Sequence, residues 1–176
     1  MKILQISDTH TKHQQLTYLP TADVIVHCGD FTEQGTEEEV LDFLNWFIEL
    51  PYKHKVFVTG NHDLCLWDAD GIEDLPDNVY FLQDRGCEID GVKFFGLAYN
   101  HSEILIPNKI DVLVTHEPPV MILDESSGIH WGNARTGRKE ETEYKKLCLS
   151  IISSVMPMML LEQRSMIALC LQMQQC

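Results

Sequence analysis

Lys55-Val56-Phe57-Val58-Thr59, followed at once by Gly60-Asn61-His62-Asp63, is the stretch on which the reading of the fold turns. The first five residues are rich in β-branched and aromatic side chains and predict a buried strand. The next four place a glycine, an amide, an imidazole and a carboxylate at its carboxyl end, groups suited to metal and phosphate chemistry. Alone they are also ordinary turn chemistry. The rest of the chain decides between the two.

Upstream, residues 3–7 predict a strand that stops at Asp8-Thr9-His10, and residues 23–28 a second that stops at Gly29-Asp30. Between them, residues 14–20 have room for only a brief helix or loop. Thr36 is a good N-cap, Glu37 to Glu39 fill a first helical turn, and Glu39 stands at the capping-box position. Val40, Leu41, Phe43, Leu44, Phe47 and Ile48 then recur at helical spacing until Pro51 ends the run. This β-α-β-α-β order predicts parallel pairing with right-handed crossovers. Downstream, residues 79–82, 87–89 and 92–97 read as strands, the last two joined by an Asp90-Gly91 hairpin turn. Residues 110–115 predict a further buried strand, stopping at His116-Glu117-Pro118-Pro119. No internal repeat is present. Four strands thus end in polar residues, and the carboxyl ends of parallel strands share one edge of a sheet, where α/β proteins place their sites.

At 176 residues and 44% hydrophobic, the chain is expected to form one domain with a substantial core. A formal net charge of −14 argues against a general nucleic-acid surface and against an anionic membrane partner. The six cysteines form no C-x-x-C pair, Met1-Lys2 leads straight into a strand, and no apolar run approaches a membrane span. These features predict a reduced, cytoplasmic protein with free thiols.

Two Asp, an Asn and His side chains make a mixed oxygen and nitrogen donor set suited to Mn, Fe or Zn, without the cysteines of a structural zinc site. A carboxylate such as Asp30 can bridge two cations, and a pair about 3.5–4 Å apart would clamp a phosphate and activate a water. Singly, each residue has a plain reading: Asp8 and Asp30 as helix caps, His10 on the surface, His116 in a loop. All four stations directly after strands are harder to explain that way.

Asp8-x-His10, Gly29-Asp30, Gly60-Asn61-His62-Asp63 and Thr115-His116-Glu117-Pro118-Pro119 together resemble the calcineurin-like metallophosphoesterase family, over residues 1 to about 133. The Ser7-Asp8-Thr9-His10 and Thr-His-x-Pro-Pro forms, with Trp131-Gly132-Asn133, are similar to the branch that includes the adult-brain 239 phosphodiesterases. The resemblance implies an α/β fold, a β-sandwich flanked by helices. It implies two divalent transition-metal ions, one held by Asp8, His10 and Asp30 and the other by Asp30, Asn61 and His116. His62 would not be a ligand but would protonate the leaving oxygen or stabilise charge there, while a bridging hydroxide attacks phosphorus in line. Of the other histidines, His27 reads as core or as support for the site. His13, His54, His101 and His130 read as surface or loop, with His13 and His101 the best additional candidates for lining a substrate cleft.

The family closes its site with a late Gly-His-x-His, and this chain has no histidine after His130. From Arg138 onward there is no Asp, Asn, His or Gly, while Met and Cys accumulate. Reread one base earlier, codons for residues 151–159 can encode Tyr-His-Leu-Phe-Gly-His-Ala-His-Asp, a strand followed by Gly-His-x-His. The same register turns residues 167–175 into Asp-Ser-Ile-Val-Phe-Ala-Asn-Ala-Ala. The expectation is a shift of reading frame between about residues 133 and 144, dividing a metallophosphoesterase domain at 1–133 from an aberrant tail at 134–176. The tail itself is expected to leave the domain short of a strand and to form a helix over residues 158–173. The function expected is metal-dependent hydrolysis of a small phosphate ester, diester or monoester, with weak metal retention and low activity. The alternative is a catalytically impaired metal-binding or interaction protein on the same scaffold.

Overall fold

A computed structural model describes residues 1–99 and 106–117 in full and, beyond them, the backbone of residues 125–126, 129–130, 151–152, 158–162 and 169–170. The first sheet is built on strands whose side chains alternate between two apolar environments. In β1 (Lys2–Ile6), β2 (Val24–His27) and β3 (His54–Phe57), the residues Leu4, Ile6, Ile25 and Phe57 face one way. There they meet Val40, Phe43, Leu44 and Phe47 of helix α1 (Glu37–Glu49). Ile3, Val24, Val26 and Val56 face the other way, onto a second sheet. This period of two, with both faces buried, is what apolar parallel strands require.

β1, β2, β3 and β4 (Val79–Phe81) pair in parallel, in that order. The second sheet contains β5 (Arg85–Ile89), β6 (Val92–Gly96) and β7 (Val112–Val114). β5 and β6 form the expected hairpin, with Asp90 at φ 49° and Gly91 at φ 79°, the doubly left-handed turn that matches strand twist. Ile89, Val92, Phe94, Val112 and Val114 pack against the inner face of the first sheet, giving a sandwich with α1 on its outer side. α1 begins as expected: Thr36 Oγ1 accepts from Glu39 N at 3.3 Å, and Thr36 N donates to the Glu39 carboxylate at 3.3 Å.

Three features differ from the sequence reading. β7 does not lie along the edge of the first sheet; it pairs in parallel with β6 in the second, so the fourth polar strand end reaches the site from across the sandwich. The tail does not leave the sheets a strand short. After the two-stranded pair β8 (Glu125–Ser126) and β9 (Ile129–His130), β10 (Ile151–Ile152) pairs with β7. β11 (Met158–Glu162) runs antiparallel to β1, and β12 (Leu169–Cys170) antiparallel to β11. The helix expected from residue 158 is therefore a strand where it begins: an unbroken apolar run has no periodicity to choose helix over strand, and the unpaired backbone of β1 makes the choice. Finally, His13 is fully buried against Phe43 and Trp46, and His54 opens β3 with its side chain only 16% exposed, so neither is a surface residue. His101 lies outside the described residues, as do Pro118, Pro119, Trp131 to Asn133 and the boundary at 133.

Candidate metal centre

Register brings the site together. Ile6, His27 and Phe57 are paired across β1, β2 and β3, so the chain leaves all three strands at the same level. The loops that follow are then laced to one another. Asp8 N donates to Gly29 O at 3.0 Å, His10 N to Asp30 O at 3.0 Å and Thr11 N to Phe31 O at 2.9 Å. Asp8, His10, Thr11 and Asp30 all take left-handed φ values, 53°, 40°, 62° and 56°. Each costs about 1–2 kcal/mol in a residue other than glycine, so the loops must be held from outside.

The Asp63 carboxylate, completely buried, supplies much of that hold. It accepts from Asp30 N and Gly60 N at 2.8 Å, from Thr32 N at 3.0 Å and from Thr32 Oγ1 at 2.8 Å. Burial raises its pKa while these donors pull the other way. Asp63 thus rivets the loop after β2 to the loop after β3. Sequence marked it only as the last residue of Gly60-Asn61-His62-Asp63, and nothing in the sequence marked Thr32. The two glycines make the approach possible: a Cβ on Gly29 would stand 2.5 Å from Gly60 N. His27 braces the same loops from below. Its Nδ1 accepts from Gly29 N at 3.2 Å, which leaves Nε2–H to donate to Thr9 Oγ1 at 3.0 Å. Burial, then the neighbouring His13, His116 and His10, depress its pKa well below the usual range, so the ring is neutral.

The expected donors converge on Asp30, itself 4% exposed. His116 Nε2 lies 3.6 Å from Asp30 Oδ1 and 2.9 Å from Asn61 Oδ1. His10 Nε2 lies 3.8 Å from Asp30 Oδ2, and His62 N donates to Asp30 Oδ1 at 2.9 Å. Each of three imidazoles spends Nδ1 on a backbone carbonyl: His116 on Cys28 at 2.8 Å, His10 on Thr32 at 3.2 Å and His62 on Glu33 at 2.8 Å. A donor role for Nδ1 fixes the tautomer and frees the Nε2 lone pair, the orientation metal-ligating histidines adopt. At His116 that lone pair faces two oxygen acceptors, an arrangement a cation stabilises.

Among the described residues two groups bring donor atoms within 4.8 Å of one another: His10, Asp30 and His62, and Asp8, Asp30 and His116. Asp30 is common to both, as a bridging ligand must be. The grouping differs from the expected division of ligands: His62 stands within the first group, its ring 4.7 Å from that of His10, and Asp8 falls with His116 rather than with His10, while Asn61 meets His116. Asp8 has an exposed face, yet desolvation by the surrounding protein raises its carboxyl pKa, with Ser7, His116 and His10 opposing the shift and the Asp30 charge adding to it. The His62 pKa is raised, first by its bond to Glu33 O and then by the Asp30, Glu33 and Asp63 carboxylates, against partial desolvation. The donor set is hard and mixed, with no thiolate, and fits divalent Mn, Fe or Zn.

The model of the calcineurin-like phosphoesterase family matches residues 1–150. A UPF0046 protein of Caenorhabditis elegans (K07C11.7) is 38% identical over 163 residues, covering 75% of this chain and 56% of its own length. A second from the same organism (C25E10.12) is 33% identical over 153 residues, covering 68% and 54%. Metallophosphoesterase domain-containing protein 1 of Homo sapiens is 29% identical over 160 residues, covering 68% and 49%. The chain spans about half the length of the curated relatives it matches. No helix among the described residues is long and apolar enough to cross a membrane.

Proposed function

The chain belongs to the calcineurin-like phosphoesterase family, and we propose that it is a metal-dependent hydrolase of small phosphate esters, of the phosphodiesterase type, using manganese, iron or zinc. The observation that carries this reading is the convergence of Asp8, His10, Asn61 and His116 around the shared carboxylate of Asp30. Asp8, His10 and Asp30 would hold one cation, and Asp30, Asn61 and His116 the other. Bound there, two divalent cations neutralise a phosphate and supply a hydroxide nucleophile at neutral pH.

The protein's own groups do the rest. Asp30 would be shared by the two cations, and its backbone position is fixed through Asp63. With Nδ1–H donated to Glu33 O, the imidazolium form of His62 would carry the transferable proton on Nε2, and its raised pKa favours that form at higher pH than in a free histidine. In this reading it would protonate the leaving oxygen. In this reading three protein side chains are named for each cation. A small ester is the proposed substrate and a reducing, cytoplasmic compartment the proposed location.

Hydrolysis of bis-p-nitrophenyl phosphate in the presence of Mn²⁺ tests the reading. Asp30→Ala should abolish both metal binding and turnover. His62→Ala should retain metal and lose about 10²–10⁴-fold in kcat. Metal binding by the wild-type chain without turnover of any ester would support instead the impaired metal-binding protein.

A further inference from the structure

Beside the donor groups stands a pair of aromatic side chains that the hydrolytic reading does not use. Trp67 donates its indole N–H to Gly60 O at 3.0 Å, and its own carbonyl accepts from Gln83 Nε2 at 2.8 Å. The indole is thus fixed against the turn that presents Asn61. Tyr99 leans on it with ring centroids 5.7 Å apart and meets the His116 imidazole edge to face at 5.8 Å. The three rings are thus in successive contact, Trp67 with Tyr99 and Tyr99 with the proposed cation ligand His116. Both Trp67 and Tyr99 are half-buried and so keep part of their surface open to solvent.

We propose that Tyr99, supported by Trp67, is a subsite that receives an aromatic or heteroaromatic group of the phosphate ester while its phosphoryl oxygens lie at the Asp30, Asn61 and His116 centre. The chemistry favours such a group. Asp8, Asp30 and Glu33 stand at the site and the chain carries a formal net charge of −14, so added negative charge on the substrate is poorly received. Binding energy beyond the metal contact must then come from a neutral surface, and a pinned aromatic pair offers one at low entropy because few torsions remain to be frozen. Stacking on an aromatic ring tolerates many ring systems, so the subsite selects for a flat π-face rather than for one compound.

This inference rests on the phosphoesterase reading, and the experiment separates the two. Phenylphosphonate and methylphosphonate bind without reacting; their affinities for the Mn²⁺-loaded protein are measured by titration calorimetry. The wild-type chain should bind phenylphosphonate about tenfold more tightly than methylphosphonate. Tyr99→Phe should keep that ratio, since the face remains. Tyr99→Leu should bring it close to one; the ratio is internal, so any loss through the His116 contact lowers both affinities alike, and urea unfolding checks that the variant is folded. Methylphosphonate binding with a wild-type ratio near one overturns the aromatic subsite and leaves the phosphoesterase reading standing, and no variant is needed to see it. A ratio that survives in Tyr99→Leu also overturns it. Metal-dependent binding of neither compound overturns both readings together.

Discussion

Gly60→Ala is the substitution that most directly tests whether the centre is built as described. A Cβ there would overlap Asp30 Oδ1 outright and stand 2.6 Å from Asp30 N and 2.8 Å from His116 Cε1. Ordinary contact begins near 3.4 Å, so the Asp30 backbone must retreat by about 0.8 Å and the imidazole by about 0.6 Å. Neither has slack: Asp30 N is held by Asp63 at 2.8 Å, and His116 Nδ1 by Cys28 O at 2.8 Å. Overpacking of this kind costs about 1–3 kcal/mol of stability, offset by about 0.4–1 kcal/mol because alanine restricts the unfolded chain. The protein should therefore stay folded, while metal sites tolerate only about 0.2 Å in ligand position. Mn²⁺ affinity should fall at least about tenfold and turnover about 10²-fold. Calorimetric titration and steady-state hydrolysis measure the two, with urea unfolding as the check on folding. Gly71→Ala is the control, since its Cβ would meet only Arg85 Nη1 at 3.8 Å. Wild-type Mn²⁺ affinity in Gly60→Ala would refute the placement of Asp30 and His116 as ligands.

Asp63→Ala removes the acceptor for three backbone N–H groups and the Thr32 hydroxyl. It should lower unfolding free energy by about 3 kcal/mol or more, and Asp63→Asn by about half as much; a loss under about 1 kcal/mol in urea titration would mean Asp63 is not the rivet. His27 should make the fold acid-sensitive. Its folded pKa is depressed and its unfolded pKa near 6.5, so the unfolded chain takes up the proton first and stability falls as pH drops below that value. Between pH 7.5 and 5.5 the metal-free wild type should lose about 1.4 kcal/mol that His27→Gln does not lose, and parallel pH profiles for the two would rule His27 out. Thr36→Ala breaks the capping box of α1 and should cost about 1 kcal/mol in the same assay without changing kcat.

The local elements were legible because their causes are local. β1, β2 and β3 are apolar runs that end in polar residues, the Asp90-Gly91 turn follows from two residues that accept positive φ, and α1 is announced by Thr36 and Glu39. The donors of the centre were readable too, since Asp8, His10, Asp30, Asn61, His62 and His116 each follow a strand by a few residues, and strand order alone brings most such ends together.

What required the tertiary structure is whatever depends on partners far away in the chain. Sequence put His116 at a strand end but could not show that β7 belongs to the other sheet, because Val112–Val114 is as apolar and as buried as the strands of the first sheet. It marked Gly29 and Gly60 without revealing that they touch, and Asp63 without its four donors. It read His13 as surface although Phe43 and Trp46 cover it, and read a helix from residue 158 where the open edge of β1 imposes a strand. Composition and periodicity fix what a segment can become. Pairing edges, close backbone approaches and buried acceptors fix what it does become, since those energies exist only once distant segments meet.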